Sequence, residues 1–137
     1  MPKRFFALIS VVLVVLVPNV LGGPIREGSL TGSSNGINII IRWQSDDESG
    51  VRKVEIERQV GIDGQFISLH EIPLKGNYQS YEYIDDTAFR AAERVYRYRL
   101  KVSFSNGAPS VFYGPITVRH DVSSVRRTWG SIKAMFR

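Results

Sequence analysis

The chain contains no cysteine, and this one absence removes several functions together. There can be no disulfide staple, no thiol nucleophile, no thiolate-bound metal and no lipid-modified N-terminal cysteine. Histidine is nearly absent as well: His70 and His120 are the only two, and neither stands in a metal-ligand spacing or beside a nucleophile motif. No glycine-rich phosphate loop occurs, because Gly61-x-x-Gly64 falls in a hairpin and not before a helix. Nor does the body carry charge of one sign. Residues 24–120 hold twelve Lys or Arg against twelve Asp or Glu, which is not the footprint of a nucleic-acid-binding face. These absences point to a non-enzymatic protein with no cofactor and no nucleic-acid partner. The acidic turns Asp46-Asp47-Glu48 and Asp85-Asp86 are the one constellation that would recruit calcium, if their loops met.

Only one long apolar run is present, and it lies at the start. Lys3 and Arg4 precede an apolar stretch over residues 5–17, Pro18-Asn19 interrupts it, and small residues follow at Gly22-Gly23. That order describes a secretory signal peptide over residues 1–23, with Gly22 or Gly23 the last residue removed. The run is shorter than the ~20 residues a spanning helix needs. The expectation is therefore export, to the periplasm or the extracellular space. About 114 residues remain, one domain of ordinary size that must be held by its core.

The most regular stretch is residues 95–104. Tyr96, Tyr98, Leu100, Val102 and Phe104 alternate with Arg97, Arg99, Lys101 and Ser103, so one face is core and the other wet. Other pieces share the pattern. Residues 24–36 read as a linker or weak first strand. Ile37, Ile39, Ile41 and Trp43 form the inner row of the next strand, and Val54, Ile56 and Arg58 that of a third. Residues 66–72 predict an edge strand ended by Pro73, Tyr81 and Tyr83 a short strand, residues 88–93 a helical turn, and residues 111–118 the last strand after Asn106-Gly107. Six or seven antiparallel strands at this spacing predict an all-β two-sheet sandwich over residues 37–120.

The strand sequences resemble a fibronectin type III domain over residues 37–118. Ile39-Ile40-Ile41-Arg42-Trp43 is similar to that family's second strand with its core tryptophan, residues 51–58 to its third, and Tyr83-Ile84-Asp85-Asp86-Thr87 to its fifth. Residues 96–102 are similar to its sixth, and the resemblance implies that the Tyr96 hydroxyl bonds back to the preceding loop. It also implies a core built on Trp43, Tyr96, Tyr98, Leu100 and Val102. No Arg-Gly-Asp occurs, Phe89-Arg90-Ala91-Ala92-Glu93 replaces the family's Leu-x-Pro-Gly, and the extension past Val118 belongs to no such domain.

That extension, residues 121–137, reads as a basic amphipathic helix. Val125, Trp129, Ile132 and Phe136 fall on one face, while Arg126, Arg127, Lys133 and Arg137 lie off it. About a dozen residues make a marginal helix alone in water, so it should form only against something. Three surfaces qualify: the sandwich, an anionic membrane surface, or a protein partner, including a sorting system. The functional expectation is an exported binding or structural module, associated with the envelope or cell surface, contacting a protein partner. An accessory carbohydrate-binding domain is the alternative, and it requires a planar row of exposed aromatics drawn from Tyr78, Tyr81 and Tyr113.

Overall fold

The computed structural model describes residues 22–88 and 95–120. Seven strands follow in chain order: β1 (Thr31–Ser34), β2 (Ile39–Gln44), β3 (Val51–Val60), β4 (Ile67–Ile72), β5 (Ser80–Asp85), β6 (Val95–Phe104) and β7 (Val111–Arg119). They form two antiparallel sheets, one of order β1-β2-β5 and one of order β4-β3-β6-β7. The protein is thus a two-sheet β-sandwich, as the alternation predicts. The leader, the segment at residues 89–94 and the expected helix over 121–137 lie outside the described residues, and with them Val125, Arg126, Arg127, Trp129, Ile132, Lys133 and Phe136.

The inner rows meet between the sheets. Ile39, Ile41 and Trp43 from β2 face Val54, Ile56, Tyr96, Tyr98, Leu100 and Val102 from β3 and β6, and all are buried. Trp43 stacks nearly parallel on Tyr81, ring centres 5.2 Å apart. The register explains the choice of faces: Ile56 pairs with Leu100 and Val54 with Val102, so apolar residues sit opposite apolar residues on the closed face. Tyr96 donates its hydroxyl proton to the Ala88 carbonyl in the loop before β6, a bond that ties the loop to the core strand.

The structure decides three local readings. Ile37 is not in the inner row: it is 44% exposed, because Asn35 Oδ1 accepts from the amides of Ile37 and Asn38 and holds residues 35–38 in a turn. Of the two readings of residues 24–36, the weak first strand holds and the linker does not. Ile25 is buried in the core and bridges Ser45, and Thr31–Ser34 pairs with β2. The acidic turns do not meet. Ile39 pairs with Asp85 and Gln44 with Ser80, so Asp46-Asp47-Glu48 and Asp85-Asp86 are at opposite ends of β5, roughly 17 Å apart at about 3.3 Å per residue.

Candidate interaction surface

Two polar clasps, one near each pole, brace the sandwich. At one pole Asp85, 1% exposed, bridges the sheets from β5 to β3 and β6. Its Oδ2 accepts from Arg58 Nη1 at 2.7 Å and from the Tyr98 hydroxyl at 2.6 Å, while its Oδ1 accepts from the Thr87 amide and hydroxyl. Burial alone would raise the Asp85 pKa, but the hydrogen bonds from Tyr98, Thr87 and Arg58 outweigh it and hold the carboxyl below its ordinary value. Burial and the neighbouring Asp85 charge push Tyr98 strongly upward. At the other pole the Tyr81 hydroxyl donates to Glu48 Oε1 at 2.5 Å, and Glu48 Oε2 accepts from the Gly76 amide. Burial, and then this bond to Glu48, push Tyr81 up to about 12.

Between these clasps lies the outer face of the four-stranded sheet. Its rows follow from the register: Glu71, Glu55, Lys101 and Phe112 lie side by side across the four strands, and Ser68, Glu57 and Arg99 form the next row. The β4 and β3 side is acidic, the β6 side basic. Arg99 occupies the centre. Its Nε donates to Glu57 Oε1 at 2.8 Å, and its guanidinium lies between two rings, 4.0 Å from the centre of Phe66 and 4.2 Å from that of Phe112. A guanidinium so placed is attracted to both rings by cation–π interaction. Lys53 pairs with Glu55 at 3.2 Å and Arg97 donates to Gln59, so the surrounding charges are also fixed. Phe112 nonetheless remains 46% exposed.

Across the strands Arg99 stands opposite Glu57 and Lys101 opposite Glu55, whereas Arg97 stands opposite Gln59. What sequence reasoning missed is the pair of phenylalanines. Phe66 precedes β4, and Phe112 falls out of phase with the inward Tyr113; neither has a neighbour in sequence that announces Arg99. Arg58 did carry a signal, since a charge in an apolar row needs a buried partner.

The other candidates are placed elsewhere. His70 is exposed and stacks on Tyr83 at the open seam between β4 and β5, 5.7 Å between ring centres. His120 is buried and its Nδ1 shares a hydrogen bond with the Ser34 hydroxyl at 2.7 Å. The two histidines are thus apart. Tyr78, Tyr81 and Tyr113 do not form a planar exposed row: Tyr81 is buried under Trp43 while Tyr78 is 73% exposed in the loop before β5. Among the described residues no three acidic or imidazole side chains converge as a metal site.

Comparison with known proteins yields a likeness of fold. No protein-family model matches the chain, and no curated protein does. Among solved structures, a DUF3823 family protein from Bacteroides ovatus ATCC 8483 is similar, with a TM-score of 0.50 at 15% identity, over 70% of this chain and 55% of that one. The match therefore spans little more than half of the other protein's length. It agrees with a β-sandwich of two sheets.

Proposed function

We propose that this chain is an exported, non-enzymatic binding module of fibronectin type III type, associated with the envelope or cell surface, which contacts a protein partner through the outer face of its β4-β3-β6-β7 sheet. The observation that carries this reading is Arg99 clamped between Phe66 and Phe112 and bonded to Glu57. Arginine and aromatic side chains dominate binding energy where they are rigid and close to desolvated, and this cluster is pre-organised before any partner arrives. The strand order, the core tryptophan Trp43 and the Tyr96 bond to Ala88 support the narrower family reading. The N-terminal charge and apolar run support export.

The test is a comparison of Phe112→Ser and Arg99→Ala with a change on the opposite sheet, Ile84→Ser, in cells that export the protein. On this reading the first two variants stay folded but lose retention with the envelope fraction, while Ile84→Ser keeps it. Equal retention of all three would remove the sheet face as the contact.

A further inference from the structure

The segment before β1 is held against the end of the sandwich. The Asp46 amide donates to the Pro24 carbonyl at 2.9 Å, and the Arg26 amide donates to the Gln44 carbonyl at 2.9 Å. Gly23 lies so close to the Tyr113 hydroxyl that any Cβ there would collide with it, and a Cβ on Gly22 would stand 3.6 Å from Asp46 Oδ2. Gly23 therefore packs tightly against Tyr113, while Pro24 and Arg26 are tied to the loop and strand beside them, and the Asp46 carboxylate lies close to Gly22.

The charges around this junction do not balance. The groove of about 770 Å³ that Gly22 and Gly23 line contains the side chains of Arg26, Glu27 and Asp46 together with Tyr113, a set carrying one net negative charge. Arg26 is already engaged: its Nε donates to Asp46 Oδ1 at 3.2 Å and its Nη1 to Gln44 Oε1 at 2.7 Å. Asp46 Oδ2 is the oxygen turned toward Gly22. One more cation at Gly23 would bring the groove to neutrality.

We infer that the Gly22–Gly23 peptide bond is the processing site of the leader, and that the α-ammonium released on Gly23 docks beside Asp46. This rests on the export reading above. A host signal peptidase would add water across the amide, leaving the new carboxylate on Gly22 and the new amine, protonated at neutral pH, on Gly23. Sequence distinguishes this bond from the next one. Cutting after Gly22 places Val20 and Gly22 at the two positions that want small residues, whereas cutting after Gly23 places Leu21 in the first of them and a proline ring directly after the cut. Geometry adds the consequence. Before the cut, Gly23 offers a neutral amide to a negative groove; afterwards it offers a charge that the groove complements, so removing the leader also tightens the fold at that pole. The pairing favours the charged amine in the folded chain. Its stabilisation is fully present below about pH 8, the ordinary range of an α-amine, and fades as pH rises past it.

Two measurements separate this inference from the reading beneath it. The intact mass of the protein recovered after export should give Gly23 as the first residue. Recovery of a chain that still carries the leader overturns export itself, and a first residue other than Gly23 overturns the assigned bond. Independently, a chain produced directly as residues 23–137 is melted with its N-terminus free or acetylated. The free form should melt about 2–5 °C higher at pH 6, with the difference absent at pH 9.5 and absent at either pH in Asp46→Asn. Equal melting of the two forms at pH 6 overturns the docking.

Discussion

Asp85 stands at the centre of the molecule's least replaceable contacts. It sits on β5 and takes hydrogen bonds from Arg58 on β3 and Tyr98 on β6, so it joins the two sheets by charge where most of the interior joins them by area. Removing one partner of a buried pair leaves the other uncompensated. Asp85→Ala should therefore cost about 3–5 kcal/mol in a denaturant titration, and Arg58→Met combined with Asp85→Leu should recover much of it. Tyr96→Phe deletes the hydroxyl that bonds the Ala88 carbonyl and should cost about 1–3 kcal/mol. Trp43→Ala removes a large core ring stacked on Tyr81 and should cost about 3–5 kcal/mol. The same residues set the pH limits. Asp85 is held below its ordinary value in the fold, so its contribution is present above about pH 4 and is lost as pH falls through the depressed value. Tyr81 is raised to about 12, so its contribution is present below about pH 10 and is lost as pH climbs toward 12. Melting curves across pH 2–12 should fall at both ends, and Tyr81→Phe should flatten the alkaline limb.

At the scale of elements, alternation carried most of the information. The inward row of β6 was legible because a period of two over ten residues has only one folding solution that hides Tyr96, Tyr98, Leu100 and Val102. β1 was not legible. Thr31–Ser34 has no apolar residue, and it is a strand because its partner β2 is adjacent and because Gly32 allows close approach: a Cβ there would press on Val118, Ile116 and Ile41. A Gly32→Val substitution should therefore detach β1 and lower the melting temperature, a loss that the sequence pattern alone would not lead one to expect. The placement of Phe66 and Phe112 was hidden for a different reason. Stacking on Arg99 depends on how the residue 61–66 turn folds over β3 and how β7 is offset against β6, and both are tertiary facts. Phe66→Ala and Phe112→Ala should each cost about 0.5–1 kcal/mol of stability through the lost cation–π contact. A loss of partner binding by 2 kcal/mol or more in the same variants would separate a contact surface from a merely structural ladder.

At the scale of the whole molecule, the fold separates its two ends. Residues 22–28 lie at the pole of the Glu48 and Tyr81 clasp, whereas β7 ends near Ser34 and Ala88 at the pole of the Asp85 clasp. The five steps along β5, at about 3.3 Å each, set these two clasps roughly 17 Å apart. His120 thus lies at the end opposite Gly22 and Gly23, and the sheet face lies between them. The account's central claim is that this face meets a protein. The direct measurement is site-specific photo-crosslinking in exporting cells, with the photoreactive residue placed at 112 on the β4-β3-β6-β7 face or at 84 on the opposite sheet. The account predicts a discrete higher-mass protein adduct from position 112 that Arg99→Ala abolishes, and none from position 84. Adducts from position 84 alone, or from neither position, would contradict it.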